Sequence, residues 1–144
     1  MSIMDALARF SNEQALTATA DSTDILDMGA GEDAWGTARV APEIAEGRQL
    51  FLNVVVTTEL DSAAEGASLT VSLQSCATEG GSYVAAFTTA AIAEAALVAG
   101  YRIASVALPF GMSRFMKLVY TVSGENFTSG AVSAWLGLEP FPVK

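Results

Sequence analysis

The run from Phe115 to Glu139, FMKLVYTVSGENFTSGAVSAWLGLE, constrains the fold more than any other stretch of the chain. Its first part, Phe115 to Val122, is dense in β-branched and aromatic residues, which suit a pleated, half-buried surface. Its second part, Ala131 to Glu139, alternates. Val132, Ala134, Leu136 and Leu138 fall on one face; Ser133, Trp135 and Gly137 fall on the other. Successive strand residues point to opposite sides, so a period of two marks a strand with one buried face. Ser123-Gly124-Glu125-Asn126 and Ser129-Gly130 supply turn residues between the two parts. The expectation is a sandwich hairpin, with Trp135 facing outward, into a second interface, or covered by the protein's own N-terminal segment.

The same pattern recurs along the chain. In Leu50–Leu60, Leu50, Leu52, Val54, Val56 and Leu60 share one face. In Ser68–Cys76, Leu69, Val71 and Leu73 point in, while Ser68, Thr70, Ser72 and Gln74 point out. Glu79-Gly80-Gly81-Ser82 reads as a turn, with strands at Tyr83–Thr89 and Tyr101–Leu108. Ala90–Ala99 has a helical composition, but its strand-like flanks and Gly100 favour an extended segment ending in a loop at Ala99-Gly100. Asp21–Asp33 reads as a short strand and a loop, with Ile25, Leu26 and Met28 as core residues. Ala34–Gln49 reads as a connection interrupted by Pro42 and Gly47.

Residues 1–18 read as an N-terminal arm anchored by Leu7, Phe10 and Leu16. Ser11-x-x-Gln14 matches a capping box, and an extended arm laid on a neighbour is equally open; a short turn followed by a strand from Ala15 is preferred. Pro140 and Pro142 end strand pairing, so residues 140–144 form a tail and residues 19–139 the domain. About eight short strands without a long helix predict an all-β fold, an antiparallel jelly-roll-like β-sandwich. The Cys…Trp…Cys pattern of immunoglobulin domains is absent.

A chain of 144 residues suits one domain and buries roughly 68–70% of its extended surface without metal or disulfide. Charged residues make up 16%, below the usual ~25%, which leaves a surface rich in Ser, Thr, Gly and Ala. Such a surface fits either packing against neighbours or an ordinary small β domain. The whole net charge of −9 sits in residues 1–65, where twelve acids face only Arg9, Arg39 and Arg48; four acids and four bases balance in residues 66–144. The acidic balance argues against nucleic acid and is compatible with a basic protein surface. The lone Cys76 allows no intrachain disulfide and suits a reducing compartment. MSIMDALARF lacks the pattern of a secretion signal, and the longest apolar stretch, Ala90–Gly100, contains Glu94 and is too short to span a bilayer, so no membrane partner is expected.

Histidine is absent, which removes Ser-His and Cys-His nucleophile activation and, with one cysteine, any zinc ligand set. No phosphate-binding glycine motif occurs. Asp24, Asp27, Glu32 and Asp33 lie close together but lack the spacing of a calcium loop. No catalytic, cofactor or metal residue is therefore assigned, and a non-enzymatic role is expected. The remaining candidates are protein-interface anchors: Leu7, Phe10, Trp35, Arg114, Lys117 and Trp135.

Several segments together resemble the jelly-roll capsid cement (decoration) proteins of short-tailed bacteriophages. They are Phe10-Ser11-x-x-Gln14-Ala15-Leu16-Thr17-Ala18-Thr19, Asp27-Met28-Gly29, Leu69-Thr70-Val71-x-Leu73-Gln74, Leu97-Val98-Ala99-Gly100-Tyr101-Arg102, Arg114-Phe115-Met116-Lys117-Leu118-x-Tyr120-Thr121-Val122 and Phe127-Thr128-x-Gly130-x-Val132-x-Ala134. Phe115-Met116 stands where the family often carries an aromatic pair. The resemblance implies a structural virion protein, made in the bacterial host cytoplasm, that sits on the outer face of an icosahedral capsid. It implies the major capsid protein and the protein's own copies as partners, with a homodimer favoured over a trimer, and no cofactor. The alternative is a carbohydrate- or receptor-binding sandwich of a virion, with Trp35, Tyr83 and Trp135 as stacking platforms.

Overall fold

The computed structural model describes residues 9–27, 51–108 and 113–137. Among them are ten strands: β1 (Arg9–Ala15), β2 (Ala20–Asp21), β3 (Leu26–Asp27), β4 (Phe51–Ser62), β5 (Ser68–Cys76), β6 (Val84–Thr88), β7 (Ile92–Ala93), β8 (Arg102–Ala107), β9 (Phe115–Ser123) and β10 (Phe127–Gly137). They form two antiparallel sheets. The first has the order β1-β10-β4-β8. The second has the order β2-β9-β5-β6, with β3 also on β9 and β7 also on β5.

The pairs are nested. β1 lies on β10, β2 and β3 on β9, β4 on β8, and β6 and β7 on β5. This is one long hairpin doubled back at the β5–β6 turn, then rolled so that β10 meets β4 and β9 meets β5. With β2/β3 and β6/β7 each counted as one interrupted edge strand, eight strand positions fill two four-stranded layers. That is jelly-roll topology, and the expected all-β sandwich is what the chain forms.

The roll overturns one local expectation. Phe115–Glu139 is not a hairpin, because β9 belongs to the second sheet and β10 to the first. The chain crosses between layers at Ser123–Asn126. Gly124 has φ +85°, and a Cβ there would run into the Gly66 carbonyl oxygen of the β4–β5 loop. The arch thus needs the left-handed backbone and the close approach that glycine permits.

Four long strands, β4, β5, β9 and β10, occupy the middle of the sheets, and the edges are shorter or interrupted. Their inward residues make the core: Leu52, Val54, Val56 and Leu60 from β4; Leu69, Val71 and Leu73 from β5; Met116, Leu118 and Tyr120 from β9; Val132, Ala134 and Leu136 from β10. Each is the residue that strand alternation places inside.

Three further expectations change. The strand expected from Ala15 instead runs Arg9–Ala15, so these residues of the expected arm form an edge strand of the protein's own sheet. Phe10 and Leu16 are fully buried core residues, and this burial draws the segment onto β10 in place of a capped turn. Ile25 is exposed, while its neighbour Leu26 takes the core position. Ala90–Ala99 is extended only at β7; a single 3-10 turn follows at Glu94–Ala96 and buries Glu94. Met28, Ala34–Gln49 and the 140–144 tail lie outside the described residues.

Candidate functional site

Of the six interface candidates, the structure brings two together on one surface. Arg114 and Lys117 lie at and just inside the start of β9, beside the interrupted edge strand of the second sheet. The Arg114 guanidinium donates to both carboxylate oxygens of Asp27, at 2.7 and 3.0 Å. This pairing pushes its pKa further up, and the group also lies 4.8 Å from the Phe115 ring centroid. Lys117 Nζ donates to Asp21 at 3.0 Å and sits 4.5 Å from the Tyr83 ring centroid. Both cations therefore already hold intramolecular partners that tie β2 and β3 to β9. Beyond them the outer face of this sheet carries the uncharged Thr70, Gln74, Val119 and Thr121, with Ser72 buried among them.

Phe10 cannot serve as a surface anchor, because it is wholly buried between the sheets. Trp135 does lie on the non-core face of β10, as alternation requires, but it is only 6% exposed. One row across the first sheet holds Arg9, Trp135, Asn53 and Ser105. Asn53, Val55 and Ser133 on the same face are buried as well. Ser105 Oγ donates to Asn53 Oδ1 at 2.8 Å, and the Glu13 N–H donates to Ser133 Oγ at 2.9 Å. The outer face of the first sheet is therefore buried around Trp135, Asn53, Val55 and Ser133, which a period-two pattern of Ser and Trp does not announce. Leu7 and Trp35 lie outside the described residues.

Two polar clusters escape sequence reasoning. The first closes the end of the sandwich where β4, the β4–β5 loop, the 3-10 turn and the β9–β10 arch meet. Ser62 is buried; its N–H donates to Glu94 Oε1 at 2.9 Å, and its hydroxyl faces both Glu94 Oε2 and Glu125 Oε1. Glu125 Oε1 also accepts from Ala64 N–H at 3.0 Å and Gly66 N–H at 2.8 Å. Donation from the Gly66 N–H, then the Ser62 hydroxyl, holds the Glu125 carboxyl below the ordinary glutamate range. The Ser62 hydroxyl does the same for Glu94 against the opposing effect of burial. The available sequence signal was Glu94 itself, an acid standing alone in an apolar run.

The second cluster joins the sheets at the other side of the core. Ser11 Oγ donates to Gln14 Oε1 at 2.7 Å, so the Tyr120 hydroxyl, 2.8 Å away, is the donor to Ser11. Thr23 N–H also donates to Gln14 Oε1, and Gln14 Nε2 donates to the Asp21 carbonyl. The Ser11-x-x-Gln14 spacing is thus used, within a strand and not at a helix start. Burial drives the Tyr120 pKa well above its usual value.

Among the described residues no group of His, Cys, Asp or Glu has the arrangement to hold a metal ion. Glu94, Glu125 and Ser62 spend their hydrogen-bonding capacity on the fold, and Tyr83 lies beneath Lys117. The described surface offers the outer face of the second sheet and the edge strands of both sheets.

No curated protein matches the chain. The Bbp16 family matches it over residues 10–136, from the start of β1 to the last core residue of β10. Because that match spans both sheets, every core strand and both polar clusters, the chain belongs to the Bbp16 family.

Proposed function

We propose that the protein is a structural component of a phage virion. In this reading it binds the outer face of an icosahedral capsid and stabilises the shell by bridging major capsid protein subunits. The observation that carries the reading is the Bbp16 match, which covers the same segments that resemble the jelly-roll cement proteins. The physical character of the domain supports it. The chain has no histidine, and among the described residues no group of His, Cys, Asp or Glu has the arrangement to hold a metal ion. A two-layer sandwich of antiparallel sheets suits a building part. Its partners are the major capsid protein and its own copies, favouring a dimer, and no catalysis is involved. Linked weak contacts reinforce one another when several are presented on one repeating surface.

The alternative as a glycan-binding module loses physical support, since Trp135 is buried and Tyr83 carries Lys117 on its ring. Quantitative mass spectrometry of purified particles tests the proposal. The expected result is a copy number comparable to that of the major capsid protein, with selective release of this protein as particles are mildly destabilised. Absence, or a few copies per particle, sinks it.

A further inference from the structure

We infer that the Ser62 end of the sandwich is an acid-released latch: protonation of Glu125 and Glu94 frees the β9–β10 arch from the β4–β5 loop and uncovers the core beneath, while both sheets stay paired. The arch residues 124–126 lie between the last pair of β9, Ser123 with Ser68, and the first pair of β10, Phe127 with Ser62, so they stand outside both ladders. Glu125 Oε1 carries the bonds that cross to the loop, from the Ala64 and Gly66 N–H groups. The 3-10 turn is held differently. Besides the Glu94 carboxylate it has backbone bonds, from the Glu94 N–H to the Ala67 carbonyl at 3.1 Å and from the Leu60 N–H to the Leu97 carbonyl at 3.0 Å. The arch is therefore the part that moves. Each tied segment leads straight into a buried core residue: Gly66 into Ala67, the turn into Leu97, the arch into Phe127. Opening the latch exposes that apolar end.

The end answers to protons because only acids build it. Neither residues 49–101 nor residues 118–143 contain Lys or Arg, so no base belongs to β4, the loop, the turn, the arch or β10. The Asp61 carboxylate of β4 lies against Glu94, and Glu59 and Glu65 stand exposed on β4 and the loop. The Ser62 hydroxyl has one proton for the two carboxylates it faces, so at any moment one of them rests on its backbone donors alone. A protonated carboxyl is the weaker acceptor for those N–H groups. In the closed state both glutamates are held below the ordinary range, whereas an opened end returns them to about 4.3. Opening therefore takes up protons. The closed state has its full advantage above about pH 4.3 and loses it as pH falls through the lower closed-state values.

The inference concerns the free protein and is independent of the virion reading. Native-state hydrogen exchange, read amide by amide with NMR from about pH 7 to about pH 3.5, separates local opening from global unfolding. Protection at Ser62, Ala64 and Gly66 is expected to hold down to about pH 4.3, then to fall by up to about tenfold per pH unit for each carboxylate that titrates. The mid-sheet amides of β5, β9 and β10 are expected to keep theirs over the same range. Glu125→Gln is expected to lower protection at Ala64 and Gly66 at neutral pH and to flatten its acid dependence. Glu59→Gln and Glu65→Gln are expected to leave the wild-type slope. Simultaneous loss of protection in all strands would overturn the inference, since the end would then have no opening of its own. So would wild-type Ala64 and Gly66 amides that stay protected in acid, a wild-type slope in Glu125→Gln, or a flattened slope in either control. Should Glu125→Gln fail to fold, the wild-type titration and the two controls still decide.

Discussion

Tyr120 shows how a single residue sets a requirement on its neighbours. Its ring fills the core, and its hydroxyl must find an acceptor there because no water reaches it. Ser11, on the other sheet, is that acceptor. Ser11→Ala leaves the buried hydroxyl without an acceptor and is expected to cost about 1–3 kcal/mol. Tyr120→Phe removes the donor as well and should cost less, about 1 kcal/mol. The informative measurement is the double variant in urea denaturation. Adding Tyr120→Phe to Ser11→Ala should recover part of the loss; strict additivity would show that the two hydroxyls do not act together. Gly130 makes a related demand: its φ is +134° and a Cβ would strike Leu60, so the first residues of β10 can lie close against β4 only with glycine there.

At the scale of elements, the closed end depends on two carboxylates that replace missing strand bonds. Glu125 gathers the Ala64 and Gly66 N–H groups and so ties the β9–β10 arch to the β4–β5 loop. Glu94 ties the 3-10 turn to the end of β4. Both are held below the ordinary glutamate range in the folded protein. Unfolding at acid pH therefore takes up protons, and stability rises with pH across that interval. The contribution is complete above an ordinary glutamate pKa of about 4.3 and is lost as pH falls through the lower folded values. The urea midpoint of the wild type should drop steeply below about pH 4.3, whereas Glu125→Gln should start lower at neutral pH and show a shallower acid dependence. An identical acid slope in the variant would mean that other carboxylates govern acid unfolding.

For the whole molecule, nesting makes most strand pairings distant in sequence. Among the described residues only β5 and β6 pair across a short turn; β1 waits for β10, at the far end of the described strands. Folds dominated by non-local pairing must close long loops before contacts reward them. Refolding in stopped-flow fluorescence is therefore expected in the range of about milliseconds to seconds. A microsecond phase carrying the full amplitude would contradict the nested order as the folding constraint.

The sequence by itself determined which residues face which way within a strand. Ser68–Cys76 was legible to the residue, and the inward set of β4 and β10 followed from alternation, because side-chain direction in a strand is fixed locally by the pleat. Local turn chemistry did not determine which sheet receives the next strand. Ser123-Gly124-Glu125-Asn126 looks like a hairpin turn, and only Glu125 meeting Gly66 from a loop nearly sixty residues earlier makes it an arch. Nor did alternation determine whether the outward residue Trp135 is covered; only the tertiary structure buries it. Phe10 looked like an anchor for a neighbour because its partners in the core come from strands far along the chain. Phe115–Glu139 carried the pattern of two strands, and the tertiary structure alone decided that they lie in opposite layers of a jelly roll, because pleat direction is a local property and layer membership is set by contacts distant in sequence.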